Sequence, residues 1–239
     1  MGRVNVQALT EFDDPFVRHQ LDHSRVEAVW RHDDALVVQG GRPRHDLTGP
    51  VFTAFGPATS LAPLMAEVAD EAPPAHRVTV VAHAAPDLPP TWRHRDPHRW
   101  HWMLTRSMPP DPGLPVEEVD SADEVQALLD VAQPDAHARP GTPGIESWLG
   151  VRHRDALLAV GALLRQPDGT GHLRAVSVHP AHRGRGIGRG LSAALTRRAL
   201  DGGSGVATLG VYTDNVPAVA TYTRLGYTTG HTFVSGPVS

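Results

Sequence analysis

Arg183-Gly184-Arg185-Gly186-Ile187-Gly188-Arg189-Gly190 is the segment from which the fold of this chain is best inferred. It follows the apolar run 173–178 and precedes a helical pattern of apolar residues, so it is predicted to connect a strand to a helix. Glycines at this density let a backbone approach a ligand closely, and the free N–H groups at a helix start attract negative charge. The segment therefore predicts a cradle for a pyrophosphate.

The spacing of the glycines excludes two common phosphate-binding loops. A Walker loop ends in Gly-Lys-Ser/Thr, whereas the 22 basic residues of this chain are all arginine. The dinucleotide pattern Gly-x-Gly-x-x-Gly would need a glycine where the chain has Arg189 or Leu191. What remains is Arg-x-x-Gly-x-Gly at Arg183, Gly186 and Gly188, for which an ordinary basic turn is the alternative interpretation.

A second pattern, Asn-x-x-Ala-x-x-x-Tyr-x-x-x-Gly-Tyr, begins at Asn215 and ends at Gly226-Tyr227. Asn215 is predicted to cap a helix, and Gly226 is predicted to end it in a left-handed conformation. Ala218 and Tyr222 then share one face of that helix because they lie four residues apart. Taken alone, Tyr222 is predicted to be an ordinary core tyrosine.

The two patterns, in this order, resemble those of the GNAT acetyltransferase superfamily. The resemblance implies that the chain binds acetyl-CoA as acyl donor, with the pyrophosphate on the backbone amides of the glycine segment. It also implies which residues form the donor site: Val176, Ser177, Val178, Arg183, Gly184, Arg185, Gly186, Ile187, Gly188, Arg189, Asn215 and Ala218.

The same resemblance implies direct transfer of an acetyl group to a primary amine of a small molecule or a peptide N-terminus. Such a transfer needs a hydrogen-bond donor to the carbonyl oxygen of the thioester, on which negative charge develops. The resemblance implies a backbone N–H near Ser177 or Val178 for this role. Tyr222 matches the family residue that gives a proton to the departing sulfur. We therefore expect Tyr222 to be a catalytic acid.

The base that accepts a proton from the incoming amine is less closely defined by the sequence. The position often held by glutamate in the family is His172 here, and a histidine can act as a base near pH 7. A surface role for His172 and a catalytic role for Glu146 are the open alternatives. Arg174 would meet an acidic acceptor if its side chain faced the pocket.

The predicted order of elements after residue 116 is strand, helix, three strands, helix, strand, helix, strand, as the resemblance implies. We expect a mixed α/β fold with a splayed, mostly antiparallel sheet flanked by helices. The Pro-rich linker 109–115 is predicted to separate an N-terminal lobe, 1–108, from an acyl-CoA-binding domain, 116–239. A resemblance to two-lobed members similar to glycine N-acyltransferases implies that the first lobe is a degenerate copy.

The N-terminal lobe shows regular apolar patterns without a second glycine cradle. Its predicted elements are strands at 35–39, 51–55, 78–82 and 100–105 and a helix at 60–71. His98 and His101 lie near Trp100 and Trp102, but odd spacing in a strand sends the two histidines to opposite faces. We therefore expect no metal site and interpret the tryptophans as core residues.

Composition limits the classes of partner. The chain has 239 residues, 40% of them hydrophobic, and a net charge of −4, which disfavours coating of nucleic acid or of an anionic membrane. Without cysteine it has neither a thiolate metal site nor a cysteine nucleophile. No leader or membrane span is visible, so we expect a cytoplasmic protein, compatible with a homodimer.

Two other functions stay open at this stage. One is a non-catalytic acyl-CoA-binding sensor or protein-interaction module, which would bind the donor without amine-dependent release of CoA. The other is a nucleic-acid binder that uses the Arg-Gly repeats, which would show strongly salt-dependent binding.

Overall fold

The computed structural model describes residues 2–41 and 49–238. Backbone contacts divide the chain into two units, which are Met1–Trp102 with Tyr212–Asp214 and Gly230–Ser239, and Met103–Val211 with Asn215–Thr229. Each unit contains a mostly antiparallel sheet flanked by helices, so the expected mixed α/β class is confirmed. In the described ranges no helix combines the length and the apolar character needed to cross a membrane.

The first unit is built on strands β1 to β5, which are consecutive in sequence, together with most of β6 and β12. Antiparallel neighbours form most of its sheet, and one parallel pair, β4 with β5, is connected through helix α2. The last strand of the chain, β12, pairs antiparallel with β5. The elements are β1 (Gly2–Val4), α1 (Pro15–His19), β2 (Val26–His32), β3 (Ala35–Gly40), β4 (Val51–Phe55), α2 (Ala58–Glu71), β5 (Arg77–Val81), most of β6 (His98–Thr105) and most of β12 (Thr228–Pro237).

The second unit follows the same plan. Strands β7 to β10 are antiparallel neighbours, and β10 pairs in parallel with β11 through helix α4. The elements are β7 (Glu117–Glu118), α3 (Ala122–Ala132), β8 (Ile145–His153), β9 (Ala156–Arg165), β10 (Gly171–Val178), α4 (Ile187–Asp201), β11 (Ala207–Tyr212) and α5 (Val216–Arg224).

Two helices of the second unit cover opposite faces of its sheet. The Ser121 hydroxyl accepts the Glu124 N–H at 3.3 Å, which caps α3 as its sequence predicts. The apolar side of α3 packs on Val160 and Ala175, whereas α4 packs on Leu173 and other sheet residues of the larger core. Helices α3 and α4 therefore lie on opposite faces of the sheet.

The Pro-rich segment 109–115 packs on α4 and is not a free spacer. The Pro109 carbonyl accepts from the Arg197 guanidinium at 2.7 Å. A Cβ atom on Gly190 would lie 2.5 Å from the Leu114 side chain, so only glycine allows this close approach. Segment 109–115 therefore fixes the outer side of the helix that follows the glycine segment.

Candidate active site

A gap opens between β10 and β11 in the second unit. The two parallel strands pair over three positions, and the last pair is Leu173 with Leu209, although both strands continue beyond it. The register of β10 against β9 shifts between Arg174 and Ser177, and Ala175 in this bulge has a φ of 48°. A bulge bends the strand that contains it, and here the bend comes directly after the last pair with β11. The expected splay of the sheet is thus confirmed, and β10 has a free edge there.

The amide of Val178 faces this gap. The next residue, His179, donates its N–H to the Leu158 carbonyl on β9 at 2.8 Å. Successive residues of a strand direct their amides to alternate sides, so the Val178 N–H is directed away from β9 and toward the gap. Of the two residues named for an oxyanion donor, Val178 therefore has the suitable orientation, and Ser177 has the opposite one.

The glycine segment follows directly and ends at the start of α4. Gly184 and Gly186 have φ values of 77° and 80°, and a Cβ atom on either would meet nothing within 4 Å. The first helical hydrogen bond joins the Gly190 N–H to the Gly186 carbonyl at 3.0 Å. The N–H groups of the first helical turn, at 187–189, consequently have no acceptor inside the helix. Open space and free donors are what an anionic ligand requires.

Two of the residues predicted to bind the donor also contact the end of α3. The Arg183 guanidinium donates to the Val178 carbonyl at 3.1 Å and to the Ala132 carbonyl at 2.9 Å. The Ser177 hydroxyl donates to the Gln133 side-chain oxygen at 2.8 Å. These three hydrogen bonds position the end of β10.

The remaining donor-site candidates differ in exposure. Arg185 and Arg189 are exposed, and Val176 and Ile187 pack partly against the α4 core. A Cβ atom on Gly188 would lie 3.3 Å from a Val178 methyl group, so the helix start and the gap are in direct contact. The segment and the gap thus form one continuous surface.

Helix α5 is capped as its sequence predicts and presents Tyr222 to the same core. The Asn215 side chain accepts the Ala218 N–H at 3.3 Å, and Gly226 has a φ of 88°. Burial raises the pKa of Tyr222 to about 12, against a smaller opposing effect of its hydrogen bond with Ser192 on α4. Tyr222 is therefore a neutral phenol at physiological pH.

His172 lies on the opposite face of the sheet. Its neighbour Leu173 belongs to the core under α4, and alternate residues of a strand point to opposite faces. The His172 Nδ1 lies 2.8 Å from the Thr208 hydroxyl on β11, and both side chains are buried. His172 is thus fixed beside the last paired residues, where the gap begins, and is not a surface residue.

Glu146, the alternative base, is not brought to the gap. Its carboxylate accepts two hydrogen bonds from Arg165, at 2.7 and 3.2 Å, and Arg165 also donates to the Ala199 carbonyl on α4. The hydrogen bond with Arg165 lowers the pKa of Glu146. This carboxylate therefore stabilises the α4 side of the sheet.

Three partners of the site were missed by sequence reasoning: Ser192, Thr208 and Gln133. Each contacts a predicted site residue, yet none belongs to a recognisable motif. Only strand register identifies Thr208, which pairs directly with His172. Side-chain contacts between separate elements leave no signal in a single sequence.

The histidines and tryptophans near residue 100 belong to the first unit. Trp102 is buried and donates to the Gln20 side chain at 2.9 Å, and the Trp100 ring lies 5.0 Å from that of Phe233. The interpretation of these tryptophans as core residues fits both contacts. Across the described parts of the chain, no three His, Cys, Asp or Glu side chains are grouped as a metal ion would need.

Comparison with curated proteins finds acetyltransferases. A mycothiol acetyltransferase of Catenulispora acidiphila is 45% identical over 58 residues, which cover 24% of this chain and 18% of that protein. A mycothiol acetyltransferase of Saccharopolyspora erythraea is 37% identical over 79 residues, which cover 33% of this chain and 26% of that protein. The chain therefore spans about a quarter or less of the length of these relatives.

Solved structures share the fold along nearly the whole chain. A GCN5-related N-acetyltransferase from Kribbella flavida has a TM-score of 0.61 and 19% identity and covers 100% of this chain, with 96% of its own length matched. Another from Sphaerobacter thermophilus has a TM-score of 0.59 and 18% identity, with 96% of this chain and 83% of that one covered. At these identities the likeness shows the fold alone.

The sequence model of the acetyltransferase (GNAT) family matches residues 99–227. This range is more than half of the chain and contains the gap, the glycine segment and α5. The chain belongs to the GNAT acetyltransferase family.

Proposed function

We propose that the protein is an N-acetyltransferase that takes an acetyl group from acetyl-CoA and transfers it directly to a primary amine of a small molecule or a peptide N-terminus. The observation that carries this proposal is the continuity of the gap, the glycine segment and the α4 start through Val178. The names of the curated relatives support acetyl as the transferred group.

The residues at the start of α4 suit the pyrophosphate of CoA. The free amides of the first helical turn are donors, and the helix dipole adds partial positive charge at the same place. Arg185 and Arg189 are exposed beside these amides and add full charges. The glycines leave the approach open, because a Cβ atom at Gly184 or Gly186 would contact nothing.

Acetyl-CoA supplies an activated thioester, and the chain supplies the groups that move protons and stabilise charge. The Val178 N–H donates to the carbonyl oxygen as that oxygen becomes negative, a contribution of about 3 kcal/mol for one such donor. The new C–N bond forms as the C–S bond breaks. Tyr222 gives its proton to the departing sulfur, and His172 accepts a proton from the amine.

The proposed acid, Tyr222, and the proposed base, His172, lie on different sides of the sheet, as their separate roles require. Tyr222 packs in the core on the α4 side of the sheet, and His172 lies on the other side. The amine therefore approaches from the face of His172, opposite the face that holds the CoA. Tyr222 is protonated at physiological pH and is therefore available as a hydrogen-bond and proton donor to the departing sulfur.

The test is amine-dependent release of CoA, followed with a thiol reagent. The chain contains no cysteine, so the reagent reports CoA alone. We expect release with acetyl-CoA that requires an added amine and that falls about a hundredfold in Tyr222→Phe. Binding of acetyl-CoA without release by any amine would favour the non-catalytic sensor instead.

A further inference from the structure

Arg174 is the last residue of β10 before the bulge, at the point where pairing with β11 ends. It pairs with Ala162 of β9, and Ala162 pairs with Trp148 of β8. Residues paired across neighbouring strands project to one face of a sheet, and His172, two positions earlier, projects to the same face. Arg174, Trp148 and His172 consequently lie on the face opposite α4.

Among the described residues, none is a counter-ion to Arg174. Within the residues described, its side chain forms no hydrogen bond or ion pair, and burial alone acts on its pKa, which is lowered. Two other arginines of this sheet are paired: Arg152 contacts Glu124 at 2.7 Å and Arg165 contacts Glu146 at 2.7 Å. A half-buried cation without an anion destabilises the fold. Such a group is expected where a ligand supplies the missing charge.

The phosphates of the donor cannot supply that charge at the proposed donor site. The free amides proposed to bind them belong to α4, which packs on the opposite face of the sheet. The face of Arg174 is the one from which the amine would reach the gap. The missing anion is therefore expected on the acceptor.

Resting on the proposed function, we propose that Arg174 binds a carboxylate of the acceptor, so that the preferred acceptor is a small amine that also bears a carboxylate. The planar guanidinium donates two parallel hydrogen bonds, which match the two oxygens of a carboxylate. The Cα atoms of His172 and Arg174 are about 7 Å apart along the strand. An acceptor held by Arg174 with its amino group near His172 is therefore short.

The experiment compares acids with their amides as acceptors. Initial rates of CoA release are measured with alanine against alaninamide and with β-alanine against β-alaninamide, at equal concentrations of neutral amine. The variants are Arg174→Gln and Arg174→Lys, and the control is Arg154→Gln, an exposed arginine in the turn between β8 and β9. A purely structural role of Arg174 would not change the ratio of acid to amide.

We expect the native protein to prefer the acids by about tenfold in kcat/KM, the size of one charge-assisted hydrogen bond. Arg174→Gln should lose this preference because its kcat/KM falls with the acids and not with the amides. Arg174→Lys should keep part of the preference, and Arg154→Gln should keep all of it. Equal rates with acids and amides in the native protein would overturn the proposal. An equal fall of kcat/KM with acids and with amides in Arg174→Gln would also overturn the proposal.

A second readout separates this proposal from the proposed function. If no amine releases CoA, acetyl transfer to these amines is contradicted, and carboxylate binding is then judged from thermal unfolding. The acids should raise the Tm of the native protein but not that of Arg174→Gln, and the amides should raise neither. Absence of any acid-specific shift in the native protein would reject the carboxylate site.

Discussion

Tyr222 shows how burial fixes the protonation state of a single residue. Its ring packs edge-to-face on Tyr227 with centroids 5.8 Å apart, and its hydroxyl is hydrogen-bonded with Ser192. Burial is the main cause that raises its pKa to about 12, compared with about 10 for an unperturbed tyrosine. The phenol is thus protonated throughout the physiological range.

The raised pKa predicts a specific loss of stability in alkali. Below about pH 10, Tyr222 is neutral in both the folded and the unfolded chain. It therefore has no effect there on how the free energy of unfolding depends on pH. Between about pH 10 and 12 the unfolded chain loses this proton while the folded protein keeps it. The free energy of unfolding should then fall by about 3 kcal/mol at most on account of Tyr222.

Urea unfolding at several pH values checks this. Tyr222→Phe should show a shallower decline above about pH 10 than the native protein, because the phenol that titrates is gone. Part of the decline should persist, since burial also raises the pKa of Tyr227. Tyr212→Phe, at an exposed tyrosine, is the control and should decline as the native protein does. If the free energy of unfolding declined with pH above about pH 10 as steeply in Tyr222→Phe as in the native protein, the raised pKa of Tyr222 would be contradicted.

His172 provides a second prediction at this scale. If it accepts the proton of the amine, His172→Gln should lower kcat by about a hundredfold or more near pH 7. The acidic limb of the pH profile of turnover should disappear as well, because the group whose deprotonation activates the enzyme is removed. A profile unchanged in shape would remove His172 from the mechanism.

At the scale of elements, the gap depends on how β10 is held after its bulge. The C-terminal end of α3 contacts it twice, through Arg183 to Ala132 and through Ser177 to Gln133. Arg183 also bonds the Val178 carbonyl, at the position whose amide is the proposed oxyanion donor. The motif arginine, which lies in the glycine segment, therefore joins α3 to the end of β10.

Removal of Arg183 should weaken the binding of acetyl-CoA more than removal of a positive charge alone would. Arg183→Ala removes hydrogen bonds to two carbonyls, and we expect acetyl-CoA affinity to fall about fivefold or more relative to Arg185→Ala. Arg185 is the matched control because it has the same charge in the same segment and is likewise exposed. Calorimetric titration at two salt concentrations measures both variants. Equal losses would show that Arg183 acts only through its charge.

The elements that the sequence predicts well are those with local signals. Ser121 and Asn215 mark the starts of α3 and α5, and Gly186 marks the start of α4, because caps depend on residues close in sequence. The predicted elements do not include β1, α1 or β2. Strand β1 and helix α1, of 3 and 5 residues, are too short for a periodic pattern, whereas β2 has 7 residues and was overlooked. The orientation of Arg174 and the contacts of Arg183 follow from register and packing, which no single sequence displays.

At the scale of the whole molecule, the two units repeat one order of elements. Strands β2, β3 and β4 precede α2 and β5, just as β8, β9 and β10 precede α4 and β11. In the first unit β4 and β5 pair continuously from Val51 with Arg77 to Ala54 with Val80, and α2 follows Pro57 without a glycine segment. Between β4 and β5, the described residues of the first unit therefore show no gap like that of the second. That it is a degenerate copy stays a prediction, which this shared order supports.

The central claim is that the gap and the glycine segment of the second unit bind acetyl-CoA. Calorimetric titration of the native protein and of Gly188→Glu tests it most directly, because a glutamate at 188 would place a negative side chain at the α4 start, beside Val178. Binding by the native protein and its loss in a variant that keeps its circular dichroism spectrum is the predicted result. No binding by the native protein, or equal binding by both, would contradict the account.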